Sequence, residues 1–426
     1  MWLRSTALAV FAAASCLQAS AQPPETLTLD DVFARVARSH PDLRLVDGQH
    51  TVLSAEAERA ALRPAKVAGL QIENAFGTGE ASGFSQAEIS LTLAGVLERG
   101  GKLDARRALA QTRIDSLALQ RETKRLDLLA EVARRYLAVN ATQEQRRIAD
   151  LDVAQRQRTV AGARQRLAAG ASPESVVLTA QAALARAEME RDRATQRGEA
   201  ARQHLAALWG ERNPAFSVAA GDLLALPEIS GFAELDALLA NTPELARFAD
   251  EKRIGEARLH LARGQTTPDL DWQVGVRLLQ ATDDFALIAS VSMALGSSRR
   301  AQPDIRIAEA ELALVEIERE AQGLSLYSTL SEAHGRYRVA QLEVFRLHSD
   351  VLPKLARAER AAERAYRGGA ISYLEWAQLQ SERTNALKQQ LDTALEAQRA
   401  LIEIQRLTGQ AFVAAPASPH RQEKTP

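Results

Sequence analysis

A chain of 426 residues with only 4% aromatics and long Ala-, Arg- and Glu-rich tracts does not provide for a large globular core and favours long helices. Its 53 Lys and Arg nearly cancel 54 Asp and Glu, which removes the electrostatic case for a nucleic-acid partner. After the amino terminus there is no run of about 18 apolar residues, so a transmembrane helix is excluded, whereas a closed barrel of strands is not.

The amino terminus carries Arg4, an apolar run from Ser5 to Leu17 and the small-residue site Ala19-Ser20-Ala21, which predicts a signal peptide over 1–21. The lone cysteine, Cys16, lies inside it, so the mature chain has no thiol, disulfide or cysteine metal ligand. The alternative for Cys16 is lipidation through an imperfect box, Ala14-Ser15-Cys16, with Ala13 where such boxes carry a bulkier aliphatic residue.

Residues 22–210 form a first repeat. An amphipathic helix from Leu29 closes at His40-Pro41, and a second runs to Arg63-Pro64, where proline ends each pattern. A β-hairpin follows over 67–94: Leu70, Ile72 and Phe76 alternate with Gln71, Glu73 and Ala75, the loop Gly77–Gly83 turns, and Ala87, Ile89, Leu91 and Leu93 alternate with Gln86, Glu88, Ser90 and Thr92. Past Gly100-Gly101 the period changes to a heptad through Leu103, Ala110 and Leu117. With no proline before Pro173, a helix of about 65 to 70 residues, on the order of 100 Å, is expected. It turns at Gly170-Ala171-Ser172-Pro173 and returns to Gly210, making a long helical hairpin over 98–209.

A linker, 211–230, leads into a second repeat, 231–410. Its period relative to the first is about 200 residues, the scale of an internal duplication rather than a solenoid. Gly231–Leu245 answers Leu29–Leu43, Gly369 answers Gly170, and Gly409 answers Gly210. The second β-hairpin spans 269–295, with Leu270, Trp272, Val274, Val276 and Leu278 on one face and Asp271, Gln273, Gly275 and Arg277 on the other. The second long helical hairpin spans 300–409, and Pro353 is expected to kink its first arm. Residues 411–426 are expected to be a disordered tail.

Four strands of about ten residues suit an outer-membrane wall, but they cannot close a barrel, for which eight is the smallest number. Two chains would give eight strands around a filled interior, and three would give twelve around an aqueous bore. The inward set, Gln71, Glu73, Gln86, Glu88, Asp271, Gln273 and Arg277, suits water, which favours a homotrimer. The fold class is therefore mainly α with a membrane β-barrel, the helices prolonging the bore as an α-barrel tunnel of antiparallel coiled coils.

Three stretches, LTLDDVFARVARSHPDL, FGTGEASGFSQAEISLTL running into VLERGGKLDARRALA, and AYRGGAISYLEWAQLQ, resemble the TolC-like outer-membrane efflux factors, and within them the CzcC-like heavy-metal branch. The resemblance covers nearly the whole mature chain. Departures are Gln302-Pro303 at the start of the third long helix and Leu103 after the Gly-Gly-Lys, and both bear on the branch. The resemblance implies a trimer with a twelve-stranded barrel in the outer membrane of a Gram-negative cell. It further implies docking onto a periplasmic adaptor (membrane fusion) protein and an inner-membrane RND-type pump, for which the trimer is a passive exit duct, here for heavy-metal cations. A multidrug or type I secretion duct is the alternative within the class, and a soluble periplasmic coiled-coil adaptor the alternative outside it.

On this reading the two helical turns are adaptor-docking sites: Arg166, Leu167, Gly170, Ser172 and Pro173 in one, and Tyr366, Gly368, Gly369, Ile371, Tyr373 and Leu374 in the other. The competing role for Tyr366, Tyr373 and Trp376 is packing of the hairpin. Glu375 aligns with an acidic position that narrows the tunnel mouth in the family. Gly100-Gly101-Lys102 lacks the spacing and hydroxyl of a phosphate loop, and Gly77-Thr78-Gly79 precedes a strand rather than a helix. The seven histidines never pair at ligand spacing, and no catalytic constellation can be assembled, so no metal site, cofactor or enzyme activity is expected.

Overall fold

A computed structural model describes residues 25–412; the expected signal peptide over 1–21, Cys16 and residues 413–426 of the tail lie outside the described residues. A short strand β1 (Thr26–Leu27) leads into α1 (Leu29–Ser39), whose Thr28 and Asp31 form a capping box, and α2 (Pro41–Ala60). Strands β2 (Val67–Glu73) and β3 (Glu88–Leu97) precede α3 (Lys102–Asp115) and α4 (Leu117–Ala168). Ser116 alone separates these two helices and keeps a right-handed helical conformation, so the pair is nearly the single long helix expected. Helix α5 (Glu174–Ala206) returns antiparallel to α4.

The same order of elements then recurs. After β4 (Ser217–Val218) come α6 (Phe232–Leu239), α7 (Pro243–Gly264), β5 (Leu270–Leu279), β6 (Asp284–Met293) and α8 (Ser297–Arg346). A π-helical turn over Leu347–Val351, α9 (Leu352–Arg367) and α10 (Tyr373–Thr408) complete it. Gly101 and Gly296 precede the two outgoing long helices, Gly170 and Gly369 turn them, and Gly210 and Gly409 end the return helices. All six are left-handed, a conformation that costs glycine little.

Several boundaries differ from expectation, each for a local reason. Phe76 is not in a strand: β2 ends at Glu73, and Phe76 takes a left-handed φ of 56° in the loop, where its ring meets Phe84 edge-on at 5.0 Å. Gln86 falls in the turn before β3 rather than on its inward face. Strand β3 extends to Leu97 because β5 pairs with it over its whole length, so the first long helix starts at Lys102 and not at 98. The third long helix starts at Ser297, which places Pro303 inside it rather than at its start. At Pro353 the distortion is a widened turn just upstream, where the N–H of Leu352 reaches back to the carbonyl of Leu347.

Burial is concentrated in four clusters along the helices, the smallest of them Leu259, Ala301, Ile305 and Ala308 where α7 meets α8. One surrounds Val32, Val132, Val139 and Leu205, and the linker contributes Phe216, Val218 and Leu223 to it while β4 pairs in parallel with β1. The second gathers Leu330, Tyr337, Ile404 and Leu407 around α8 and α10. Burial and the loss of hydration push the Tyr337 hydroxyl up to about 12. The third lies at the helical turns and is described below.

Candidate channel wall and docking tip

The four long strands form one antiparallel sheet in the order β2-β3-β5-β6, so the two hairpins, far apart in sequence, join through β3 and β5. Because side chains alternate across the pleat, this register sorts them by polarity, with Val96, Leu279 and Ile288 among the apolar exceptions on the polar face. One face carries Leu70, Ile72, Leu91, Leu93, Val274, Val276, Leu287 and Val291, all exposed, Leu287 to 88%. The other carries Gln71, Glu73, Glu88, Ser90, Thr92, Asp271, Gln273, Arg277 and Ser290.

Glu73 stands directly opposite Glu88, a like-charge pair that Arg277 from the next strand resolves. Its guanidinium lies 2.6 Å from Glu88, 3.2 Å from Glu73 and donates to the Ser90 hydroxyl at 2.9 Å. Asn74 adds a further donor to Glu88 at 3.0 Å. Strands β2 and β6 keep an unpaired edge each among the described residues. No described helix is long and apolar enough to cross a membrane.

Where the sheet meets the helices, Asp269 accepts from the Lys102 ammonium at 2.8 Å and from the Arg99 backbone N–H at 3.0 Å. The Gly-Gly-Lys stretch thus packs closely against the end of α7: a Cβ on Gly100 would sit 2.7 Å from the Gly264 carbonyl. Glu98 and Arg106 form a two-pronged pair beside it, which holds the Glu98 carboxyl below its ordinary range.

At the opposite end of the helices the two turns pack against each other. Tyr366 and Trp376, each 3% exposed, stack at 5.0 Å with an interplanar angle of 30°, and Tyr373 is buried beside them. Val160, Ala163, Val177 and Ala180 of the first hairpin close the cluster. Burial pushes the Tyr366 hydroxyl up, against the pull of Arg166. The Arg166 guanidinium caps the cluster: it donates to the Tyr366 carbonyl at 2.5 Å and the Ala171 carbonyl at 3.3 Å, and lies 5.0 Å from the Tyr366 ring centre. Of the turn residues read from sequence, Leu167, Gly170, Pro173, Gly368, Gly369 and Leu374 are exposed, Leu374 to 72%, and Ser172 is half-buried just before Pro173, the residue that precedes α5. Ile371 is half-buried against the aromatic cluster, and Tyr366 and Tyr373 belong to its interior.

Glu375 is the third residue of α10 and completes a capping box: its carboxylate accepts from the Ser372 N–H at 2.8 Å and the Ser372 hydroxyl at 2.9 Å. Those two bonds, the backbone one first, hold its carboxyl below the usual range.

Further from the turns, polar groups tie the hairpins together. Glu359 of α9 is buried, accepts from Gln155 of α4 and pairs with Arg383 of α10 at 2.7 Å. Arg156 bridges Asp152 and Ser381 at 3.2 Å each, and Gln380 donates to Thr159 at 2.9 Å. Glu359 had a sequence signal that went unused: it stands on the seam between Leu355 and Ala362, where an isolated carboxylate needs a partner. Arg158, beside the turn, gave no such signal.

Among the described residues no cluster of three or more potential metal ligands comes together. Residues 41–211 match the profile of the outer membrane efflux protein family. The cobalt-zinc-cadmium resistance protein CzcC of Cupriavidus metallidurans is 29% identical over 280 residues, covering 66% of this chain and 67% of that protein. Among solved structures, CusC superposes with a TM-score of 0.75 at 15% identity, covering 92% of this chain and 94% of that one. The outer membrane protein VceC of Vibrio cholerae gives 0.72 at 16% identity, covering 90% and 97%.

Proposed function

We propose that this chain, a TolC-like outer-membrane efflux protein, is the outer-membrane duct of a tripartite exporter, assembled as a homotrimer. The observation that carries this reading is the sheet: one apolar face without cover, one polar face, and two open edges. In hydrocarbon an open edge leaves backbone groups unsatisfied, so strands must be pooled between copies. Three copies give twelve strands and a bore lined by Glu73, Glu88, Asp271 and Arg277. A soluble adaptor would have covered the apolar face inside a compact β domain.

The duct is passive and receives cargo from an inner-membrane RND-type pump through a periplasmic adaptor that engages the turn residues Leu167, Gly170, Ser172, Leu374 and their neighbours. Heavy-metal cations are the proposed cargo, a reading supported by the likeness to CzcC and by a wall with more carboxylates than cations. Glu375 is the proposed tunnel-mouth carboxylate, exposed at the start of α10. Opening proceeds by splaying of the second hairpin about the widened turn before Pro353.

The test is a tagged protein expressed in its own cell. A heat-sensitive trimer in the outer-membrane fraction, with an adaptor and an RND-type pump co-purifying, is the expected result; recovery in the soluble periplasm would refute the duct. Cross-links between the tips should block export and leave barrel insertion intact. Unchanged single-channel cation selectivity in Glu375→Ala would remove that residue from the selective mouth.

A further inference from the structure

Between the two helical turns lies a cavity of about 680 Å³ whose wall includes Arg158, Arg166 and Arg367, together with Tyr366 and Trp376, and contains no carboxylate. Three donors on these side chains, Arg166 Nε, Tyr366 Oη and Trp376 Nε1, are buried without a hydrogen-bond partner. A buried donor left unmade is costly, so three around one cavity are a set lacking an acceptor rather than a packing accident. Arg158 has no carboxylate within ion-pairing distance among the described residues, and Arg166 bonds only to backbone carbonyls. Arg367 is already paired with Glu363 at 2.6 Å, so Arg158 and Arg166 are the wall's cations without a carboxylate partner among the described residues.

We infer that this cavity receives a carboxylate side chain from the periplasmic protein that docks on the turns. The occupant follows from charge: guanidinium groups and orphaned N–H and O–H donors together match a carboxylate, which offers acceptors and a negative charge and no donor. The inference rests on the docking reading and deepens it by naming the chemistry of the contact. Because the three donors are sealed from solvent in this arrangement, the carboxylate reaches them only by parting the two turns. Docking and the first step of opening are then one event.

The test uses the full-length trimer in detergent, with Trp209→Phe and Trp272→Phe so that Trp376 reports alone in the mature chain, and glutarate as the probe. Glutarate should change Trp376 emission saturably and uncharged glutaramide should not. Tyr366→Phe should weaken glutarate about tenfold without lowering the melting temperature, since the hydroxyl it removes has no partner to lose. Arg158→Gln should weaken it similarly, and Arg158→Lys should retain most of the affinity. Equal responses to glutarate and glutaramide, or parental titrations in both Tyr366→Phe and Arg158→Gln, would overturn the carboxylate site. In a second arm, Tyr366→Phe and Arg158→Gln should release the co-purifying periplasmic partner. Retention at the parental level, with glutarate binding lost, would overturn the partner as the occupant. A parental trimer that retains no partner but binds glutarate defeats the docking reading, and the site is then one for free carboxylates.

Discussion

The two helical hairpins share a plan and differ in how they are held. In the first, the outgoing arm passes Ser116 in helical conformation and runs 52 more residues as α4, and its turn lacks a side-chain cap. In the second, the outgoing arm is broken by the π-helical turn over Leu347–Val351, and the return helix begins with the Ser372–Glu375 capping box. The interval from Gly296 to Gly369 is four residues longer than that from Gly101 to Gly170. A surplus of four unwinds a coiled coil locally, and an under-wound turn absorbs it. The first hairpin is thus built as a post, and the second as an arm with a joint and its own capped, aromatic tip.

The strongest way to break this contrast is to empty the second tip. Trp376→Ala should cost about 3 to 5 kcal/mol, the range for large-to-small changes at buried aromatics. Hydrogen exchange should show protection lost across 366–384, with residues 117–150 of α4 unaffected.

Next in size is the tie between arm and post. Glu359→Ala removes the acceptor of Gln155 and the partner of Arg383. The expected cost is about 2 kcal/mol, below the ~3 to 5 kcal/mol of a fully buried pair because the Arg383 side chain is 37% exposed. Single-channel recordings should show more frequent opening.

The cap should contribute less. Ser372→Ala is expected to cost about 1 kcal/mol. Because the Glu375 pKa is lowered in the folded state, its share of the cap is fully present above its ordinary value of 4.5 and lost as pH falls through the folded value. Exchange at 373–376 should therefore accelerate in acid in the parent and show no such step in Glu375→Gln.

The smallest effect is expected at the joint itself. Pro353→Ala restores one backbone N–H, for less than about 1 kcal/mol, and leaves the widened turn in place if the four-residue surplus causes it. A regular α-helix through 347–351 in that variant would assign the joint to the proline ring instead.

Much of this was legible in sequence. The alternation through Leu70–Glu73 and Leu270–Leu278, the glycines at 170, 210, 369 and 409 and the length of the helices were read from local periodicity, which depends on neighbours a few residues away. The misplacements at Phe76, Gln86 and Pro303 lie at element ends. There pairing partners and caps, rather than periodicity, decide where a strand or helix stops. At the two helical turns the spacing of residues does not reveal the division into exposed Leu374 and buried Tyr366 and Tyr373.

The sequence by itself determined which stretches are strands and helices and which face of each strand is apolar, because both follow from the spacing of side chains along one segment. Only the tertiary structure decided that β3 lies beside β5, bringing Arg277 to Glu73 and Glu88, that Asp269 receives Lys102, and that Arg158, Tyr366 and Trp376 share one cavity. These meetings join residues as far apart in the chain as Arg158 and Trp376. They depend on how finished elements dock, and docking leaves no period in the chain for a reader to find.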